Sequence, residues 1–258
     1  MTPGITSTAV RGPLCRLGPY EYFSSLTSIK KETMTHNQSH AKLPFDHFGL
    51  QFITNAETGA ECAEQARKVL NGGCLWVQLR MKGASESEVE ETANAIKRLT
   101  DEFEATLIID DHVEVAKRVG ASGVHLGKND MDPAEARSIL GDKFIIGGTC
   151  NTIEDVMRVC KSVDYIGCGP FRFTTTKKNL APTLGLDGYR ELTWAARSEG
   201  VNIPIVAIGG ITVADIADIM TSGPDGIALS GEIIRSADMT AKTTEVMKAI
   251  EAAKRQEL

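Results

Sequence analysis

Residues 106–126 read TLIIDDHVEVAKRVGASGVHL, and this stretch decides the fold. An apolar run, Thr106–Asp110, gives way to an amphipathic segment, Val113–Val119, and then to a second apolar run, Gly123–Leu126. Short runs rich in β-branched residues read as strands and the segment between them as a helix, which makes a βαβ unit. Neither run alternates cleanly with polar residues, so both strands are expected to be buried on both faces, as in a parallel sheet under helices.

The same unit recurs on either side. Upstream runs are Leu50–Thr54 and Leu75–Leu79; downstream ones are Phe144–Gly148, Tyr165–Gly169, Ile205–Ile208 and Gly226–Leu229. Amphipathic stretches alternate with them: Ala60–Leu70, Glu86–Thr100, Pro133–Leu140, Ile153–Cys160, Tyr189–Arg197, Val213–Met220 and Thr240–Ala253. Eight strands alternating with eight helices close a barrel. An open doubly wound sheet is the alternative, but its glycine-rich fingerprint is missing after the first strand, where Thr54-Asn55-Ala56-Glu57 stands. The expected fold is therefore α/β, a single (β/α)8 TIM barrel over residues 47–258. Residues 1–46 are polar, rich in Ser, Thr, Gly and His and without sustained periodicity; they read as a flexible N-terminal extension, within which Met34 offers an alternative start.

Bulk properties exclude several classes. A formal charge of −6 offers no global attraction to nucleic acid or to an anionic membrane, so anionic ligands need local groups. No apolar run reaches the length of a membrane span, and the N-terminus has no signal-peptide core. Cys15, Cys62, Cys74, Cys150, Cys160 and Cys168 form no C-x-x-C pair, a pattern that fits reduced thiols in a cytoplasm. His36 and His40 lie four apart in the polar tail and read as chance. The expected partners are small molecules, with no nucleic acid and no membrane; the oligomeric state stays open, a homo-oligomer included.

In such a barrel chemistry sits at the C-terminal ends of the strands. The second strand ends Gln78-Leu79-Arg80-Met81-Lys82. Alternation puts Gln78, Arg80 and, if the extended form persists, Lys82 on one face, where two cations and an amide suit phosphate or pyrophosphate. An Arg paired with a structural carboxylate is the plainer alternative. The third strand ends Asp110-Asp111-His112 and the fourth is followed by Gly127-Lys128-Asn129-Asp130. Acids from neighbouring strand ends are what Mg2+ needs, since it takes a few carboxylates plus water and phosphate oxygens. Capping of the helix at Val113 is the alternative for Asp110 or Asp111. His125 lies on its strand and reads as packed or orienting.

The sixth strand leads into a long loop, Gly169 to Lys178, with hydroxyls at Thr174, Thr175 and Thr176 beside Lys177. Such loops grip ligands or are merely solvated. The seventh and eighth strands end Gly209-Gly210-Ile211-Thr212 and Ser230-Gly231-Glu232, where backbone N–H groups can approach a phosphate. Trp194, on an amphipathic helix, reads as core, and Trp76, on a strand, as packing. Glu86 to Glu91 read as the solvated opening of a helix.

From about Gly49 to Arg235 these motifs, in this order, resemble the thiamine phosphate synthases. They are Gln78–Lys82, Ile109-Asp110-Asp111, Val124-His125-Leu126-Gly127 with Asp130, Gly169-Pro170 with Thr174 to Lys177, and Ile208-Gly209-Gly210-Ile211. The resemblance implies coupling of hydroxymethylpyrimidine pyrophosphate to a thiazole phosphate, carboxylated or plain, with Mg2+ as cofactor. It implies that Gln78, Arg80 and Lys82, within the segment that includes Leu79 and Met81, hold the pyrimidine pyrophosphate with Asp110, Thr149 and Lys177. It implies Asp111 and Asp130 for the metal, Thr174 to Thr176 for the thiazole carboxylate side, and Gly210, Ser230 and Gly231 for the thiazole phosphate. Lys177, Arg80 and Thr149 would be the catalytic groups. Two departures stand out: the family often has Asn at the position of Asp110 and proline at that of Phe173. A thiazole tautomerase on a related barrel and a non-catalytic precursor sensor are the rival readings; neither accounts for Arg80, Lys82, Asp111 and Asp130 together.

Overall fold

A computed structural model describes residues 49–173 and 182–256, together with Met1. The chain divides into Met1–Gln38 and Ser39–Leu258, and the fold described below lies in the second unit. The N-terminal extension, including His36 and His40, lies outside the described residues.

Eight strands form a closed barrel: β1 (Leu50–Ile53), β2 (Trp76–Leu79), β3 (Thr106–Asp110), β4 (Gly123–Leu126), β5 (Ile145–Cys150), β6 (Tyr165–Cys168), β7 (Ile205–Ile208) and β8 (Gly226–Leu229). Every pairing is parallel, and β8 closes on β1 with Leu50 opposite Ile227 and Phe52 opposite Leu229. The helices are α1 (Gly59–Asn71), α2 (Glu86–Glu102), α3 (Val113–Val119), α4 (Pro133–Leu140), α5 (Ile153–Val159) and α6 (Gly185–Ser198). A 3-10 turn, Val213–Asp215, leads into α7 (Ile216–Thr221), and α8 (Gly231–Ile234) and α9 (Met239–Gln256) follow. The expected TIM barrel is what the chain forms.

Strand alternation sorts the core into two layers. Phe52, Val77, Leu79, Leu107, Ile109, Val124 and Leu126 face outward and pack under the helices. Trp76, Ile108, Ile145, Tyr165, Val206 and Ala228 fill the barrel itself. Helix starts carry their own signals: Thr58 with Glu61, Ser85 with Glu88 and Thr152 with Asp155 form capping boxes that satisfy otherwise orphaned N–H groups. Glu86 and Glu90 meet Arg118 of α3 at 2.5 and 2.7 Å, so the acidic opening of α2 is solvated on one side and paired on the other.

Two expectations are corrected. Trp194 is 73% exposed, not core. The buried stripe of α6 runs Tyr189, Leu192, Thr193, Ala196, which turns Trp194 away from the barrel. β5 extends to Cys150 rather than stopping at Gly148, because the pair Gly147-Gly148 lies inside the ladder rather than ending it.

Candidate active site

The C-terminal mouth of the barrel encloses a cavity of about 420 Å³. Residues at or just after every strand end except that of β3 line it. The β3 acids stand immediately beside it.

At the end of β2, Gln78 and Arg80 share one face, as alternation requires, and both reach Asp110. Gln78 Nε2 donates to Asp110 Oδ1 at 2.5 Å, and Arg80 Nε lies 3.3 Å from Asp110 Oδ2. Arg80 thus has a carboxylate partner and still lines the cavity. Its backbone is clamped by Thr54, whose hydroxyl accepts from Arg80 N at 2.8 Å and donates to Arg80 O at 3.1 Å. Lys82 does not continue the strand: it is exposed and sits in the turn where Gly83 adopts φ +79°. Leu79 and Met81 turn their side chains into the helix layer and offer the mouth only backbone.

Asp111 is one of two non-glycine residues with positive φ among those described, at 63°. That left-handed geometry costs an Asp about 1 kcal/mol and turns the chain off the strand end. Asp111 N donates to His125 O at 2.9 Å. The cap of α3 is His112, with no side-chain cap bond, so neither Asp110 nor Asp111 is spent on capping. The Asp111 residue opens to solvent, yet its carboxyl is crowded by protein. Burial, the Asp110 charge, and the hydrogen bond and charge of Asp130 push that carboxyl up to about 8, against the pull of Arg80. Asp130 is folded back to accept Gly127 N at 2.6 Å. Asp110 and Asp130 both press on the Asp111 carboxyl, and a positive charge beside it would relieve that crowding. Among the described residues no group of three or more His, Cys, Asp or Glu forms a metal centre by itself.

Across the cavity, Gly209 and Gly210 have φ of 101° and 71°. A Cβ on Gly209 would lie 2.7 Å from Pro170 Cβ, and one on Gly210 2.5 Å from Arg172 Cγ, so both positions need glycine. Arg172 grips Asp215 at 2.5 and 2.8 Å, and Asp215 also accepts from Thr212 N at 2.8 Å, which stiffens this loop. Ser230 Oγ is buried and has no hydrogen-bond partner among the described residues. The Arg235 guanidinium lies over Gly231, where a Cβ would come 2.2 Å from Nη1.

Of the expected site residues, Arg80, Asp130, Thr149, Gly210, Ser230 and Gly231 line one cavity, with Gln78, Asp110 and Asp111 beside it. Thr174, Thr175, Thr176 and Lys177 lie outside the described residues. Thr54, Asn151 and Arg235 also line the cavity and were not singled out from the sequence. The place of Thr54 directly after β1 was a usable signal; Arg235 follows α8, whose four residues are too short to show a period.

A family model described as thiamine monophosphate synthase matches residues 50–233. A thiamine-phosphate synthase of Phocaeicola vulgatus is 54% identical over 199 residues, covering 77% of this chain and 96% of that protein. One from Pyrococcus abyssi is 36% identical over 203 residues, covering 78% and 94%. Among solved structures, a thiamine phosphate pyrophosphorylase from Pyrococcus furiosus superposes with a TM-score of 0.72 at 33% identity, covering 81% of this chain and 98% of that one. The match spans the barrel and its mouth together, and the chain belongs to the thiamine monophosphate synthase family.

Proposed function

We propose that this transferase condenses hydroxymethylpyrimidine pyrophosphate with a thiazole phosphate to give thiamine phosphate and pyrophosphate. The observation that carries the reading is a single cavity with two unlike ends. One end gathers Arg80 and Asp130, with Asp111 beside them; the other offers glycine backbone at Gly209 and Gly210 and the hydroxyl of Ser230, which has no partner among the described residues. The first suits a diphosphate with its metal, the second a phosphate monoester.

Asp111 and Asp130 fit Mg2+, because their crowded carboxyls gain from a cation and two acids leave room for phosphate oxygens and water. Bound there, Mg2+ would supply positive charge to the leaving diphosphate. Arg80, held at Nε by Asp110, would orient the same oxygens, joined by Lys177 and Lys82. The bond between the pyrimidine methylene and the diphosphate oxygen breaks, and the thiazole nitrogen supplies the electron pair for the new carbon–nitrogen bond. Ile53, Ile208 and Leu229 line the cavity and would keep water from the methylene cation. Thr174 to Thr176 would meet a carboxylate on the thiazole, whose loss as carbon dioxide would accompany coupling of the carboxylated substrate. All five described cysteines are free, which suits the cytoplasm as its setting. No helix among the described residues is long and apolar enough to cross a membrane.

The test mixes the protein with Mg2+ and both precursors and follows pyrophosphate and thiamine phosphate. Both products should appear together and vanish when either precursor or the metal is withheld. Turnover of the thiazole alone, or binding of precursors without product, would replace this reading with a tautomerase or a sensor.

A further inference from the structure

Beneath the cavity lies a chain of polar groups of which only Thr149 has a role in the reading above. Gln51 and Tyr165 are each 1% exposed inside the barrel. Gln51 Nε2 donates to the Tyr165 hydroxyl at 2.9 Å. The hydroxyl lies 3.0 Å from His125 Nδ1, and His125 Nε2 lies 3.0 Å from Thr149 Oγ1. Thr149 lines the cavity. Four side chains from β1, β6, β4 and β5 therefore connect the barrel interior to the ligand site.

The room for this chain is built in. A Cβ on Gly147 would stand 2.2 Å from Tyr165 Cζ and 2.5 Å from His125 Nδ1; one on Gly167 would stand 2.9 Å from His125 Cε1. Trp76 meets Tyr165 edge-on, with ring centroids 4.8 Å apart at 78°, and so fixes its plane. The rings have little freedom to trade partners.

We propose that Gln51 and Tyr165 are positioning residues that set the tautomer of His125 and thereby make the Thr149 hydroxyl a hydrogen-bond donor into the cavity. The direction follows from counting protons. Burial drives the Tyr165 hydroxyl well above its ordinary range, so it keeps its proton. Its oxygen already accepts from Gln51, and among the described residues His125 Nδ1 is the acceptor within reach of that proton. An accepting Nδ1 leaves the ring proton on Nε2, which donates to Thr149 Oγ1. The hydroxyl of Thr149, having accepted from within, turns its own proton outward. The opposite tautomer would bring two donors to Tyr165 and strand its buried proton, a costly arrangement. Thr149 therefore reads an acceptor atom on the ligand, and, resting on the function proposed above, that acceptor belongs to the pyrimidine diphosphate.

The test has two arms. Long-range proton–nitrogen correlation spectra of the ligand-free protein, with histidine labelled at both ring nitrogens, report the tautomer of His125 without any turnover. We expect protonated Nε2 and bare Nδ1, with the preference lost in Tyr165→Phe and in Gln51→Met. In the coupling assay, Tyr165→Phe should raise KM for the pyrimidine diphosphate about tenfold, the worth of one hydrogen bond, and leave KM for the thiazole phosphate unchanged. Thr149→Val should behave alike and Thr149→Ser should restore the native value. A proton on Nδ1 in the native protein, or an unchanged tautomer in Tyr165→Phe, would overturn the relay even if those variants fold poorly, since the first reading needs no variant. Equal changes in both KM values would remove the role given to Thr149. If the Nε2 tautomer holds but no thiamine phosphate forms, the relay stands and the proposed reaction falls.

Discussion

Two pairs of carboxylates, one at each end of the barrel, stand in opposite settings. At the N-terminal end Asp164 accepts from Arg137 at 2.6 Å and from Ile146 N at 2.8 Å. Arg137 also donates to the carbonyls of Phe144 and Gly141, at 2.6 and 3.1 Å. The same staple recurs two strands later, where Asp225 accepts from Arg197 at 2.7 Å and from Ile205 N at 2.8 Å, and Arg197 donates to Val201 and Ile203. At the C-terminal end Asp111 and Asp130 crowd each other, Asp111 sits at positive φ, and Ser230 Oγ has no partner among the described residues. Closed staples tie the chain; the crowded acids and the hydroxyl of Ser230 are the groups we propose meet the ligands.

The largest effect should come from the open end. Asp111→Asn should cut the coupling rate by about two to three orders of magnitude, the loss expected for one group that stabilises charge on a leaving oxyanion. Its thermal midpoint should be unchanged or slightly higher, because a carboxyl that folding forces to hold a proton becomes a neutral amide and Asn tolerates the left-handed backbone. Near-native turnover would break the contrast at once. Asp164→Ala should do the reverse: a loss of about 3 kcal/mol in denaturant unfolding, since both partners are largely buried and Arg137 is left uncompensated, with KM values unchanged in the surviving folded protein. Asp225→Ala should cost only about 1 kcal/mol in the same measurement, because its staple is far more exposed and screened. Equal losses at Asp164 and Asp225 would show that burial does not set the strength of these staples. Smallest of all, Trp194→Gln should move stability by no more than about 0.5 kcal/mol, as its ring stands in solvent; a loss of several kcal/mol would restore it to the core.

The sequence carried the fold because each strand and helix announces itself locally, through an apolar run or a 3.6-residue stripe. At α6 the local reading stopped short: the stripe Tyr189, Leu192, Thr193, Ala196 was visible, but a large aromatic one step away drew the eye to the wrong face. Arg80 and the acids after β3 and β4 were legible because charged residues at buried strand ends need a reason. The partner of Arg80, Asp110, lies on the neighbouring strand, and only barrel register brings the two together. Arg235 escaped for a related cause, since it joins the cavity through contacts distant in sequence. Gln51, Tyr165, His125 and Thr149 look like four unrelated interior residues until the closed sheet stacks them. Tertiary closeness, not residue chemistry, was the missing information.

The most direct measurement is calorimetric titration of inorganic pyrophosphate into the protein, with and without Mg2+, for the native chain and for Asp111→Asn. We expect Mg2+ to tighten binding at least about tenfold in the native protein, and that gain to disappear in the variant while metal-free binding through Arg80 persists. Binding indifferent to Mg2+, or a gain undiminished by the substitution, would contradict the claim that acids and cations at this mouth act together on a departing diphosphate.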